Sequence, residues 1–258
     1  MLFDTHCHLD FPVFDTGRDE LMQRAAEMGI EQILVPGVEL AHFQRVLELQ
    51  QRWPERIQIA LGLHPCFIHQ HPANAVSQLQ GWLESCESLC AVGEIGLDAR
   101  PGMAPEAVQV MLLEAQLKLA RERELPVILH VVKAHERMLG LLRRYALPVG
   151  GVVHAYSGSL EQAHQYGRLG FKLGFGGAIT YARALKQQRL VRELPLEWLL
   201  LETDAPDMPL EGFQDQPNTP LQVYRVAQVM AQLRDVPLDE VVSLTGETAR
   251  SLFYKRRS

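Results

Sequence analysis

Short apolar runs rich in Val, Ile and Leu alternate with longer stretches of helical period along the whole chain, and the alternation does not break. That feature limits the fold more than any other. Apolar runs without strict in-and-out alternation suit strands of a parallel sheet that is covered on both faces. Eight such runs, each followed by helix, within 258 residues predict an α/β fold, a (β/α)₈ TIM barrel.

The first run, Leu2-Phe3-Asp4, leads straight into Thr5-His6-Cys7-His8. Later runs are Gln32-Ile33-Leu34-Val35, residues 57–61, Cys90-Ala91-Val92-Gly93, Pro126-Val127-Ile128-Leu129, Gly151-Val152-Val153, Phe171-Lys172-Leu173-Gly174 and Trp198-Leu199-Leu200-Leu201. Between and after them, helical spacing predicts helices over residues 19–28, 40–53, 76–89, 105–124, 134–145, 182–194, 220–234 and 238–253, with a shorter one capped by Ser159. In the longest, Val108, Leu112, Ala115 and Leu119 share one stripe. A doubly wound open sheet would normally carry a glycine-rich phosphate turn after its first strand, and here that turn is His-Cys-His. With no interior linker, one barrel domain over residues 1–258 is expected.

Hydrophobic residues make up 47% of the chain and charged residues 22%, as in an ordinary globular protein. No apolar run approaches the length of a membrane span, and the opening residues lack the pattern of a signal peptide. Four cysteines, of which Cys86 and Cys90 have helical spacing, make neither a disulfide scaffold nor a zinc knuckle, so a reducing cytoplasm is the expected location. A net charge of −6 argues against coating nucleic acid by bulk electrostatics. It leaves room for an enzyme that takes one strand end into a local pocket. The tail Lys255-Arg256-Arg257 reads as a solvated terminus. No obligate protein partner is evident, and a monomer is the default expectation.

Active sites of such barrels lie at the C-terminal ends of the strands. Those ends carry His6 and His8 after run one, His64 after three, Glu94 after four, His130 after five, His154 after six and Asp204 after eight. Any one of these alone reads as a hydrogen-bonded histidine or a capping acid. Their recurrence at one rim reads as a metal site, since imidazole and carboxylate together suit transition-metal ions. Apart from His64, the set of four imidazoles and two carboxylates exceeds what one tetrahedral ion needs. Two divalent ions sharing a carboxylate use it naturally, and Glu94 is the candidate bridge. The mixed N/O set suits Zn, Mn, Co, Ni or Fe; Mg, which prefers oxygen, is the outlier. Such a pair lowers the pKa of a bound water and polarises the bond to be attacked. Asp204 is the candidate proton acceptor, and His64 is expected to contact substrate. The glycines of Gly174-Phe175-Gly176-Gly177 fit either an anion cradle or a tight turn. His42, His69, His71 and His164 are expected to face solvent, with His135 intermediate.

Six blocks resemble the successive motifs of the TatD family of metal-dependent hydrolases. They are Asp4-Thr5-His6-Cys7-His8, Gly62-Leu63-His64-Pro65, Gly93-Glu94-Ile95-Gly96-Leu97-Asp98, Pro126-Val127-Ile128-Leu129-His130, Val153-His154-Ala155-Tyr156-Ser157-Gly158 and Leu201-Glu202-Thr203-Asp204-Ala205-Pro206. They span residues 4–206 in the family's order, and Asn218-Thr219-Pro220 resembles its later Asn/Pro element. The segment Asp204-Ala205-Pro206-Asp207-Met208-Pro209-Leu210 looks closest to the YjjV-like branch. The resemblance implies an amidohydrolase-type barrel with His6, His8, Glu94 and Asp204 on one ion, and Glu94, His130 and His154 on the other. It also implies phosphodiester hydrolysis, with deoxyribonuclease activity the family's best-known label. Two departures stand out. Val131-Val132-Lys133 replaces the usual Ser-Arg after His130, and Ala99-Arg100-Pro101-Gly102 replaces an aromatic residue after Asp98. Both weaken the DNA assignment more than the hydrolase one.

The reading that combines these features is a two-metal phosphodiesterase acting on an ester substrate, a DNA end among them. Lys133, Arg183 and Lys186 are further candidates to hold phosphate. One rival cleaves an amide, ester or lactone; some such barrels bridge their metals with a carboxylated lysine, but the strand-four end here carries Glu94. A barrel of the polymerase-and-histidinol-phosphatase type also opens with paired histidines, but Glu202-Thr203-Asp204-Ala205-Pro206 argues against it. The remaining rival is a non-catalytic metal-binding protein.

Overall fold

The computed structural model describes residues 1–254, so the basic tail Lys255-Arg256-Arg257 lies outside the described residues. Eight parallel strands follow one another around the sheet in sequence order: β1 (Leu2–Asp4), β2 (Ile30–Gly37), β3 (Ile57–Leu61), β4 (Leu89–Asp98), β5 (Val127–Val132), β6 (Gly151–Val153), β7 (Phe171–Phe175) and β8 (Leu199–Leu201). The ring closes just beyond β1 and β8. There Thr5 N–H donates to Leu201 O (3.0 Å), Asp204 N–H to His6 O (2.8 Å) and His8 N–H to Ala205 O (2.8 Å). This is the TIM-barrel arrangement expected from the alternation of apolar runs and helical stretches.

Inside the barrel, Phe3, Leu34, Ala60, Ala91, Ile128, Val152 and Leu200 form a layer with one residue from each of seven strands. Its lower end is stoppered by Ala249, Leu252 and Phe253 of the last helix, α9 (Leu238–Phe253). The larger core lies between the strands and the outer helices α1 (Arg18–Glu27), α2 (Leu40–Arg52), α3 (Ala75–Ser85), α4 (Glu106–Glu122), α5 (His135–Tyr145), α6 (Leu160–Arg168), α7 (Leu185–Glu193) and α8 (Val223–Arg234). Ser159 caps α6 through a full capping box: its hydroxyl accepts from Gln162 N–H, and the Gln162 side chain accepts from Ser159 N–H. Among the described residues no helix is long and apolar enough to cross a membrane.

Two departures from the sequence expectation matter for the site. Strands β4 and β5 run past the predicted ends, because Ile95, Gly96, Leu97 and Asp98 pair with Leu129, His130, Val131 and Val132. Glu94 therefore lies inside a strand, and His130 within β5, rather than each following one. The inward stripe of α4 is also displaced. Val108 is 41% exposed, whereas Val110, Leu113, Leu117 and Ala120 are buried together with Gln109 and Gln116. The two glutamines turn inward because each pairs with backbone at the rim, at Leu63 after β3 and at Asp98, the last residue of β4. Gln116 accepts from Leu63 N–H and donates to Leu63 O, and Gln109 does the same for Asp98 while also donating to Ala104 O. Helix α4 thus fixes the two rim segments that carry His64 and Asp98.

Candidate metal centre and active site

The closing of β8 onto β1 sets the first half of the site. Asp4, fully buried, accepts from both the backbone N–H and the hydroxyl of Thr203 (2.9 and 2.6 Å). This ties the segment after β8 to the segment after β1, and Asp204 arrives beside His6 and His8. Asp204 sits at φ 57°, a left-handed conformation that Asp tolerates better than most residues. Asn218 holds the following loop by donating to Thr203 O (2.8 Å) and Asp207 O (3.0 Å).

Four donor atoms meet there. His6 Nε2 lies 3.3 Å from His8 Nε2, 3.2 Å from Glu94 Oε2 and 3.6 Å from Asp204 Oδ1; His8 Nε2 lies 3.5 and 3.6 Å from the same two oxygens. Bonds of about 2.1 Å to a tetrahedral ion separate its ligands by about 3.4 Å, the spacing these atoms keep. The other oxygen of Glu94 faces a second set. Oε1 is 3.2 Å from His130 Nδ1 and 2.8 Å from His154 Nε2, which are 3.3 Å from each other. Both sets, His6 with His8 and Asp204, and Glu94 with His130 and His154, are groups able to hold a metal ion. One buried carboxylate thus presents one oxygen to each.

His64 also reaches Glu94 Oε1 (3.1 Å), but its role differs. Its Nδ1 accepts from the Cys66 backbone N–H, and burial pushes its pKa down, so the ring is neutral with the proton on Nε2. His64 therefore meets Glu94 as a donor. A cavity of about 460 Å³ opens above these groups, lined by His8, His64, Glu94, His130, His154 and Asp204 as well as Phe11, Phe67 and Arg100.

The protonation pattern follows from the crowding of rings and carboxylates. Burial pushes His6 down to about 4. For His154 burial acts in the same direction, but the Glu94 charge and hydrogen bond outweigh it and raise the ring to about 10. His8 rises to about 9 against its burial, through the adjacent Asp204 carboxylate, 3.6 Å away, and the Glu94 charge. A divalent cation among the same atoms would offset those carboxylates in place of the protons and release them.

Several residues that spacing alone did not single out complete the arrangement. Asp98, buried at the end of β4, accepts from His130 Nε2 (3.0 Å) and so turns Nδ1 toward Glu94. Glu202, fully buried, accepts from Ala155 N–H (2.6 Å), while its other oxygen has no hydrogen-bond partner among the described residues. Burial pushes its carboxyl up to about 7. It forms a further group with His6 and His154. Gly174 is explained by Glu202: a Cβ there would collide with its carboxylate. Gly174, within β7, thus makes room for an acid, while a Cβ at Gly177 would meet the Met208 backbone, so close packing and not an anion cradle accounts for these two glycines.

The candidate phosphate holders do not reach the cavity. Lys133 is exposed, Arg183 lies over the Tyr181 ring in a neighbouring depression, and Lys186 donates to Ser157 O (2.6 Å). Of the remaining histidines, His69 is exposed as expected. His42 is half-buried between Asp10 and Glu39, His71 donates to His64 O, and His164 packs edge-on against Trp198. His135 is buried against Tyr156 and Tyr166.

Fold and site together define a barrel hydrolase that works with metal ions. The sequence pattern described as "TatD related DNase" matches residues 3–254. The chain belongs to the TatD family. It is 47% identical over 251 residues to an Escherichia coli (strain K12) protein named "Uncharacterized metal-dependent hydrolase YjjV", covering 97% of this chain and 96% of that one. The crystal structure of Escherichia coli K12 YjjV, described as a TatD homologue, superposes with a TM-score of 0.94 at 46% identity, over 98% of this chain and 97% of that one. A more distant relative from Erwinia amylovora, 31% identical over 98% of this chain and 99% of its own length, is named "3′-5′ ssDNA/RNA exonuclease TatD". The protein is accordingly a metal-dependent hydrolase of the TatD family.

Proposed function

We propose that the protein hydrolyses phosphodiester bonds at the end of a single nucleic-acid strand, with two divalent ions held by His6, His8, Glu94 and Asp204 and by Glu94, His130 and His154. The observation that carries this reading is the division of Glu94, with Oε2 facing His6 and His8 and Oε1 facing His130 and His154. The donor set fits the ions for a further reason. Buried Nδ1 atoms of His6, His8 and His154 have no hydrogen-bond partner among the described residues, and all three rings turn Nε2 inward toward one another and the carboxylates. Ring nitrogens so crowded cannot all donate to their neighbours, whereas they can all ligate.

When bound, the ions would activate water and offset charge on a phosphoryl group. The chain's own residues do the rest. Asp204, whose carboxyl is held below its ordinary value by His8, His154 and His6 despite its burial, is ionised at neutral pH and accepts a proton from the attacking water. His64 Nε2–H, on the cavity wall, turns from Glu94 to a substrate oxygen. Asp98 keeps the His130 ring in orientation. Two divalent ions would more than offset the carboxylates of Glu94 and Asp204, which favours an anionic diester over a neutral amide or lactone. The Erwinia relative named as an exonuclease supports the same substrate class.

The test is Mn²⁺- or Mg²⁺-dependent shortening of end-labelled single-stranded DNA by wild type and Asp204→Asn, with bound metal measured in both. We expect wild type to shorten the strand, and the variant to retain metal yet fall by on the order of 10²- to 10³-fold in rate. A wild type that binds two ions and leaves DNA intact would overturn the nuclease reading.

A further inference from the structure

We propose that Arg100 forms a second anion subsite at the cavity mouth, which takes the phosphate next to the one being cleaved. The inference rests on the phosphodiesterase reading above and deepens it: the preferred substrate is a strand with consecutive phosphates, not an isolated diester.

Among the described residues Arg100 is the one lysine or arginine that lines the cavity. It is anchored without being buried. Its Nε–H and Nη2–H groups donate to the Asp98 carboxylate (2.9 Å to each oxygen, and 2.5 Å), and its backbone N–H donates to Asp98 Oδ1 (3.0 Å). Asp98 is fully sequestered, whereas half of the Arg100 side chain is exposed. A guanidinium has five donors in a fixed fork. Asp98 engages the Nε side, and no hydrogen bond of Nη1 is present among the described residues. Nη2 also donates to Cys66 Sγ at 3.7 Å, which further orients the edge formed by Nη1 and Nη2; a phosphate, a stronger acceptor than a thiol, can take that edge through its paired oxygens.

Three features tie this edge to the reaction. Asp98 Oδ2, which receives Arg100 Nη2, also receives His130 Nε2, so the anion site and the second donor set share one carboxylate atom. Because His130 Nε2 and the Cys66 thiol also donate to Asp98 Oδ2, its charge is not spent on Arg100 alone, and the guanidinium keeps attraction for a further partner. Arg100 also lines an adjoining depression of about 200 Å³ with Leu97, Met103, Ala104 and Ala134. It borders both hollows, where a strand leaving the cavity would cross.

The test compares the dinucleotide TpT, with one phosphate, and the trinucleotide TpTpT, with two, in Mn²⁺-loaded wild type, Arg100→Gln and Arg100→Lys. This choice is independent of the end at which cleavage starts. The ratio of kcat/KM for TpTpT to that for TpT should fall about tenfold in Arg100→Gln, chiefly through KM, with part of the loss restored in Arg100→Lys. An unchanged ratio overturns the proposal. So does an equal kcat loss on both substrates, which would mean that Arg100 acts only through Asp98 on His130. Should wild type cleave neither substrate, the phosphodiesterase reading has failed separately. Anisotropy of a fluorescein-labelled thymidine tetranucleotide with unloaded protein then decides the subsite: weaker binding by Arg100→Gln supports it, and equal binding overturns it.

Discussion

The two sides of Glu94 are built by different means. On one side, His6, His8 and Asp204 are set by backbone: the segments after β1 and β8 exchange hydrogen bonds on both flanks of the histidines, and Asp4 pins Thr203 beneath them. His6 is fully buried there and stacks on His154 at 4.0 Å between ring centroids. On the other side, His130 comes from β5 and His154 from the segment just after the neighbouring β6, and His130 is aimed by a side chain, Asp98. Both sides line the cavity, His8 and Asp204 on the first and His130 and His154 on the second, but the second side offers three donors, Glu94 included, not four. A closed set of four protein donors suits an ion held firmly, and an open set of three leaves room for water and substrate.

The strongest way to break this contrast is to remove what both sides share. Glu94→Gln should lose both ions by elemental analysis and lower kcat/KM by more than about 10³-fold. Retention of one ion at full occupancy would mean that Glu94 serves a single site. The asymmetry itself is sharpened by paired variants. His6→Ala should empty the closed side and His130→Ala the open one, each leaving about one ion per chain, with the residual ion of His130→Ala the slower to leave a chelator. Equal exchange rates would sink the distinction. A smaller effect is expected one shell out. Asp98→Asn should weaken the open-side ion about 10- to 100-fold while leaving the closed side as it was. Loss of both ions would show Asp98 to be supporting the whole rim.

The same contrast marks how far the sequence could be read. The barrel, its strand order and the convergence of His6, His8, His154 and Asp204 were legible because apolar runs reveal strands and a barrel sends their ends to one rim. Glu94 and His130 were found, but as residues following strands. Their true place inside β4 and β5 depends on pairing between residues 95–98 and 129–132, which no single-chain periodicity reports. Polar residues on buried faces were the hardest to foresee. Gln109 and Gln116 break the apolar stripe of α4 in order to satisfy rim backbone, and Glu202 is buried against a glycine that exists to admit it. A stripe counted in apolar residues misses groups whose reason for burial lies dozens of residues away. Arg100 was noted only as a departure from family wording; its anchoring by Asp98 needed coordinates.

The smallest expected effect concerns the support beneath the open side. His135, the first residue of α5, packs against Tyr156, which follows His154 by two residues, and its Nδ1 lies 3.2 Å from the Tyr166 hydroxyl. Burial, and then the charge of Lys186, push its pKa down to about 4, with Glu136 opposing weakly. The folded state therefore binds fewer protons at this site than the unfolded chain, whose histidine titrates near 6.5. The stability contributed by neutral His135 is complete above pH of about 6.5 and is lost as pH falls toward about 4. Tyr156 and Tyr166, themselves raised by burial, stay neutral throughout this range and do not confuse the reading. Urea midpoints measured from pH 7 to pH 4 should fall more steeply for wild type than for His135→Asn, by on the order of 1–2 kcal/mol across the window. Removal of the open-side ion should precede global unfolding as the pH drops, because His130 and His154 would have to be unprotonated to hold it. Parallel slopes for the two proteins would show that His135 does not carry this part of the acid sensitivity.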